Sequence, residues 1–551
     1  MAALKFRHIV LALVMQSVAL PVVAEGLSGS YLAGRQARYL NDFEEIAKYY
    51  SRAITRDPES PQLLESAVQA MISLGDFERA VPLAQDLADD DIKSQIAHIA
   101  LIVDEGLRGD FDAILARPAA DTGVGPLVDG LMAAWAEIGN GRMSDGLAAF
   151  DKVADERGLR GFAMYHKALA LASVGDFEGA EAIYSGDGAG PMQMTRRGVI
   201  ARVQVLSQLE KNDDAVNLID DLFGKDLDQG LADLRKRLVA GERISFDLIS
   251  GAQDGLAEVF YSVAGALSNE TEADYTLLYS RAAEALRPGF EEAILLSASL
   301  LEKMEKYDLA VRTYNTVPRD SYAFPIAELG RADGLRADGK TEAAVEVLEQ
   351  LTESHPEMAV VHVTTGDLMR QLERYGEAVA AYDRAVALFA EEAPQQWFVY
   401  YARGISYGKI DKWDRSEADF RTALRLNPGQ PQVLNYLGYS LVEKQIKLDE
   451  ALDMIERAVA ARPDSGYIFD SLGWVLYRLG RYDEAIDHME RAAELMPVDP
   501  VVNDHLGDVL WAVGRKLEAA FQWQRALSFV GSGGMDEEAN PERIRRKLDV
   551  G

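Results

Sequence analysis

Four groups of residues carry types and spacings that could do chemistry. Gly334-Leu335-Arg336-Ala337-Asp338-Gly339-Lys340-Thr341 fits the pattern G-x-x-x-x-G-K-[ST], in which a strand delivers free backbone N–H groups to a phosphate and the lysine reaches its charge. The helical pattern running into Gly334 predicts instead that these N–H groups are spent in helical bonds and that Gly339 is a turn. Nucleotide binding is therefore not expected. Gly404-Ile405-Ser406-Tyr407-Gly408 fits the G-x-S-x-G pattern of nucleophilic hydrolases, but it lies within a predicted helix with no strand before it, so Ser406 is not expected to be a nucleophile. His355 and His362 are split by Pro356 between a loop and the next helix, which rules out a zinc site of the H-E-x-x-H kind. Asp89-Asp90-Asp91 lacks the ligand spacing of a calcium loop. The chain has no cysteine, which excludes disulfides, thiolate nucleophiles and cysteine-based metal sites. No catalytic residue, cofactor or metal is expected.

The elements that hold these residues are helical and repetitive. Residues 466 to 533 contain two copies of one 34-residue helix-turn-helix unit, the first reading GYIFDSLGWVLYRLGRYDEAIDHMERAAELMPVD and the second beginning at Pro500. Small residues at Gly473, Ala485 and Ala492 allow two helices to approach closely, with Phe469, Leu472, Leu476 and Met489 filling the space around the contact. The second copy repeats the pattern with Leu506, Gly507, Leu510, Gly514, Ala519, Trp523 and Ala526. Leu472, Gly473, Ala485, Ala492, Leu506, Gly507, Ala519 and Ala526 are thus the expected repeat core. The order aromatic, Leu-Gly, Ala, Ala and Pro at this period identifies the chain as a member of the tetratricopeptide repeat (TPR) superfamily.

The same frame runs along the chain, with unit starts near Leu27, Pro61, Gln95, Leu127, Gly161 and Arg196, then 257, 291, 325, 359, Trp397 and Pro431. The expected architecture is an all-α, superhelical TPR solenoid of about 10–14 helix-turn-helix repeats, with no strand-like alternation. Residues 1–24 read as a secretory signal peptide: Lys5 and Arg7 precede an apolar run from Ile9 to Leu20, which ends in Val22-Val23-Ala24. Residues 25–229 form a divergent N-terminal array, 230–256 an irregular junction and 257–530 the C-terminal array. Residues 531–551 form a flexible GSGG stretch and a helix, Pro541 to Leu548, that covers the last repeat. The formal charge of −32 repels nucleic acid and anionic lipid and favours basic partners. No later segment is apolar enough to span a membrane. The localisation expected from the leader is the periplasm.

The TPR resemblance implies that helix A of each repeat lines a concave groove through repeat positions 2, 5, 6, 9, 12 and 13. In the last four repeats these positions select Phe398, Tyr401, Asn435, Tyr436, Tyr439, Tyr467, Asp470, Trp474, Tyr477, Arg478, Asp504, Asp508 and Trp511. The family's clamp for a peptide carboxylate is absent: position 6 holds Tyr436, Ser471 and His505, and position 9 holds Trp474 and Asp508. The C-terminal repeats also resemble those of bacterial envelope TPR lipoproteins, some of which are adaptors for carboxyl-terminal processing proteases. The missing lipidation cysteine departs from that pattern. The resemblance implies a noncatalytic scaffold whose partners are proteins or peptides, including a periplasmic protease and its substrates. An assembly scaffold for envelope complexes and an enzyme subunit are the alternatives.

Overall fold

The computed structural model describes residues 27–89, 92–117, 123–186, 195–224, 227–389, 392–530 and 539–550. The expected leader, residues 1–24, the GSGG stretch at 531–534, and Asp90 and Asp91 lie outside the described residues. The described chain consists of helices, turns and loops with no strand, and no helix in it is long and apolar enough to cross a membrane. It separates into two compact units, one up to Val347 and one from Leu348.

The first unit opens with six hairpins: α1 Leu27–Tyr39 with α2 Phe43–Ile54, α3 Pro61–Ser73 with α4 Phe77–Asp89, α5 Gln95–Arg108 with α6 Phe111–Ala116, α7 Pro126–Gly139 with α8 Met143–Ala154, α9 Arg160–Ser173 with α10 Phe177–Tyr184, and α11 Arg196–Gln208 with α12 Asn212–Phe223. A single helix, α13 Gln229–Val239, follows. Then come α14 Ala252–Leu267 with α15 Ala273–Leu286, α16 Glu291–Lys303 with α17 Tyr307–Tyr314, α18 Phe324–Ala337, and α19 Thr341–Ser354, within which the unit boundary falls. The second unit pairs α20 Ala359–Gln371 with α21 Tyr375–Leu388, α22 Trp397–Lys409 with α23 Trp413–Leu426, α24 Pro431–Glu443 with α25 Leu448–Ala461, α26 Gly466–Arg478 with α27 Tyr482–Leu495, and α28 Pro500–Ala512 with α29 Lys516–Phe529. A single helix, α30 Pro541–Val550, closes the chain.

The helices start where local chemistry allows. Pro61, Pro126, Pro431 and Pro500 stand in first turns, where a missing N–H costs nothing and φ is already helical. Asp42, Asp110 and Asp176 accept a backbone N–H from the first turn they precede, satisfying one of the groups a helix leaves open. Gly480, at φ 76°, makes the turn between α26 and α27. Leu472, Gly473, Ala485, Ala492, Leu506, Gly507, Ala519 and Ala526 are all buried. Ala485 is 0% exposed in the α26–α27 contact; Ala485→Val is expected to cost about 1–3 kcal/mol by overpacking, read as a lower urea midpoint for the second unit. An unchanged midpoint would show that this contact has slack.

The expected junction at 230–256 does not divide the molecule. It contains α13 and the start of α14, and the unit boundary falls about a hundred residues later, at Val347. The reason is packing: α14 lies against α7 and α9, and α15 against α3 and α5. The segment after the junction is thereby bound to the array before it.

Candidate protein-binding site

In the first unit the face made by the odd-numbered helices α3 to α9 is already covered by the protein's own α14 and α15. At Gly255 the approach is close enough that a Cβ there would stand 2.1 Å from the Trp135 ring. Three residues on, Glu258 is 1% exposed and accepts from Tyr165 Oη at 2.8 Å and from Arg197 Nε at 2.7 Å. Arg197 also donates to Glu292 at 3.1 Å and lies over the Phe290 ring at 4.4 Å. Trp135 donates its indole N–H to His166 Nδ1 at 3.1 Å, and His166 Nε2 meets Ser262 Oγ at 3.2 Å. Rings and charges on α7, α9 and α11 thus hold one face of an internal helix. A cleft of about 520 Å³ in the same unit, lined by Glu44, Lys48, Asp76, Arg79, Arg281 and Arg312, is a seam of mixed charge with Arg312 paired to Glu44.

In the second unit the corresponding face carries exposed and half-buried rings. Phe398 on α22 is 43% exposed and Tyr467 on α26 is 44% exposed; Val360 on α20, outside the residues that repeat position selects, is equally open. Between them Tyr401 packs 6.1 Å from Trp397 and 6.1 Å from Tyr436, edge to face in the second case. Burial pushes the Tyr401 hydroxyl up to about 12, with Tyr436 and Tyr467 adding to the shift and Arg370 opposing it. Tyr439 and Tyr477 are half-buried beside it. Trp511 sits farther along, 5.5 Å from Trp523 with Lys516 over its ring at 4.4 Å.

Four of the residues expected in the groove lie inside the stack instead. Trp474 is 9% exposed, stacked at 4.0 Å on His505 and 5.0 Å on Tyr477, and its indole N–H donates to Glu443 at 2.8 Å. Asp470, 6% exposed, faces His505 Nδ1 at 3.1 Å. Asp504 is fully buried and takes Arg543 and Lys547 of α30, each at 2.7 Å. Asn435 is buried within α24. Trp474 and Asp470 reach His505 on the next first helix before they reach solvent, and Asp504 is covered by α30. Arg478 extends over Trp474 toward Glu443, and Asp508 accepts from Trp523 at 3.1 Å and pairs with Lys547 at 2.7 Å.

His505 in the second unit and His98 and His166 in the first are shifted in opposite directions. Burial works against a charge on His505, but Asp470, Asp504 and Asp508 outweigh it and the ring is held above its ordinary value of 6.5. A raised folded value contributes stability that is complete below about 6.5 and disappears as pH rises through the folded value. Burial pulls His166 down to about 3, and burial with Arg117 pulls His98 down to about 4. Their contribution is complete above about 6.5 and falls away as pH drops. The contribution of His505 to the second unit is expected to fade as pH is raised from 6 to 9, and that of His98 and His166 to the first as it is lowered from 7 to 4.5, each read as the difference in urea midpoint between the wild type and the corresponding His→Gln variant at each pH. His505→Gln removes the alkaline limb; a variant that kept it would refute the assignment.

The motifs that promised chemistry are structural. In the phosphate-like string, the N–H groups of Asp338, Gly339 and Lys340 donate to Gly334, Arg336 and Leu335 carbonyls, and Lys340 Nζ pairs with Asp338 at 2.7 Å. Ser406 is 0% exposed and donates to the Ala402 carbonyl at 2.9 Å. His362 is buried, its Nε2 2.8 Å from the Pro356 carbonyl. Among the described residues no three His, Asp or Glu side chains converge as metal ligands.

Residues 31–94, 329–396, 401–466 and 443–500 match the tetratricopeptide repeat family model. With the hairpin succession, this makes the chain a tetratricopeptide repeat protein, of a class that mediates protein–protein interaction. It is 25% identical over 156 residues to the TPR repeat-containing protein PA4667 of Pseudomonas aeruginosa, covering 28% of this chain and 26% of that one. It is 26% identical over 147 residues to the protein O-mannosyl-transferase Tmtc3 of Drosophila melanogaster, covering 27% of this chain and 13% of that one. The matched stretch is thus about a quarter or less of these curated relatives. Among solved structures, the Cut9–Hcn1 assembly of the APC/C aligns over 94% of this chain and 96% of its own at 14% identity and a TM-score of 0.38. YrrB, described as a TPR protein with an unusual peptide-binding site, aligns over 35% of this chain and 95% of its own at 21% identity and a TM-score of 0.28.

Proposed function

We propose that this protein is a noncatalytic interaction scaffold of the bacterial envelope and that it takes its partner on the ring-lined face of the second unit. One contrast carries the reading. The first unit's face is filled by α14 and α15, whereas the second unit's presents Phe398 and Tyr467 to solvent with Tyr401 and Tyr436 behind them. Aromatic side chains with a polar edge supply contact area at small entropy cost and concentrate binding energy. The double substitution Phe398→Ala/Tyr467→Ala is expected to weaken partner binding at least about tenfold while leaving the urea midpoint and circular dichroism unchanged. Unchanged binding would move the site elsewhere.

The leader-like residues 1–24 and the resemblance to envelope TPR lipoproteins support a periplasmic adaptor that holds a protease and its substrate together, raising the cleavage rate through effective concentration. Capture of the mature protein from its own periplasm, followed by mass spectrometry, tests this. A processing protease and unstable substrates are expected; stable stoichiometric envelope components without a protease would replace the adaptor by an assembly scaffold.

A further inference from the structure

The last repeat shows which chemistry its outer seat accepts. Asp504 and Asp508 stand one turn apart on α28, and both are answered by α30, whose Arg543 and Lys547 are also one turn apart. The Asp504 carboxylate, 0% exposed, takes Arg543 Nη2 on one oxygen and Lys547 Nζ on the other. Lys547 also reaches Asp508 at 2.7 Å and lies 5.8 Å from the centre of the Trp523 ring on α29. Beside these cations Ile544 is 0% exposed, and Leu548 packs against the same apolar cluster. The outward side of α30 adds exposed Arg545 and Arg546. In a chain of formal charge −32, this helix is conspicuously basic. Without it, Asp504 and Asp508 would lose both cations that α30 brings to them and keep, as a cation, only the neighbouring His505 ring, in a place where burial makes charge costly.

We propose that the α28–α29 seat is a docking site for a basic amphipathic helix of a partner protein, and that α30 occupies it as an internal competitor. The seat recognises two cations four residues apart with an aliphatic residue directly after each, the arrangement of Arg543, Ile544, Lys547 and Leu548. The α30 helix is joined to α29 by a short stretch of chain, so it acts at an effective concentration of about millimolar; an external helix must match its charges to displace it. This rests on the reading that the second unit is the binding unit, and it adds the chemistry of the partner and a threshold for its entry.

The test uses the full chain and a fluorescent peptide of the α30 sequence, residues 539–550, followed by anisotropy. The wild-type chain is expected to bind the peptide weakly. The chain carrying Arg543→Glu and Lys547→Glu, which unseats its own helix, is expected to bind it at least about tenfold more tightly, and a peptide with the same two reversals is expected to bind neither chain. No gain in the reversed chain, with its circular dichroism intact, overturns the proposal. If that variant loses ellipticity, Lys547→Gln, which leaves Arg543 on Asp504, carries the same measurement, and absence of any gain there overturns it equally. The two readings fail separately. Peptide exchange together with partner capture that Phe398→Ala/Tyr467→Ala leaves unchanged removes the ring-lined face and leaves the seat; capture through Phe398 and Tyr467 without peptide exchange removes the seat alone.

Discussion

Glu258→Ala is expected to destabilise the first unit by about 3–5 kcal/mol, because it removes one partner of a buried ion pair and leaves the other. Arg197, 7% exposed, would keep Glu292 but lose its shortest contact, and the Tyr165 hydroxyl would lose its acceptor. Urea unfolding followed by Trp135 fluorescence reads this directly, since that ring lies against Gly255 of the same helix. Glu258→Gln keeps the shape and one acceptor, so a smaller loss of about 1–3 kcal/mol is expected. Replacing the pair together, Arg197→Met with Glu258→Leu, should cost less than Glu258→Ala alone, since no charge is then stranded. If Glu258→Ala unfolded at the wild-type midpoint, α14 would not be held by this network.

The repeat frame was legible because its signals are local. Starts expected at Leu27, Pro61, Gln95, Arg196, Trp397, Pro431 and Pro500 coincide with the first residues of α1, α3, α5, α11, α22, α24 and α28, and those at Leu127 and Gly161 fall one residue inside α7 and α9. Turn glycines and first-turn prolines set these boundaries within a few residues of chain. The start at 257 fell inside α14, and with it went the docking of α14 and α15. That docking includes Glu258 of α14 with Tyr165 and Arg197, partners 93 and 61 residues away, and Asp274 of α15 with Gln69, 205 residues away, and no periodicity marks so distant a pairing. The groove was legible in part for a related reason. Position within the repeat gave the direction of Phe398, Tyr467 and Trp474 alike, but exposure depends on the neighbouring helix. Phe398 and Tyr467 keep more than two-fifths of their surface open, whereas Trp474 meets His505. The sequence also placed α30 over the last repeat without revealing that its cations end on Asp504 and Asp508.

Trp474→Ala separates a ring that binds from a ring that holds repeats together. The indole joins three successive first helices: its N–H reaches Glu443 on α24, its own helix supplies Tyr477 at 5.0 Å, and its face lies on His505 of α28 at 4.0 Å. Truncation removes the stacking and opens a cavity between repeats, for which a loss of about 3–5 kcal/mol is expected. Because each repeat is stabilised mainly by its neighbours, the loss should appear as early unfolding of α26 to α30, seen as hydrogen exchange in those helices well below the global urea midpoint. A second consequence follows from His505. With the indole gone, water reaches the His505–Asp470 pair, the carboxylates act through a higher dielectric, and the alkaline weakening of the second unit should shrink. Phe398→Ala/Tyr467→Ala, by contrast, changes neither the exchange pattern nor the pH profile. If Trp474→Ala reduced partner binding without shifting the urea midpoint or the exchange of α26 to α30, the ring would belong to the binding face after all, and the contact with His505 would be incidental to the stability of the array.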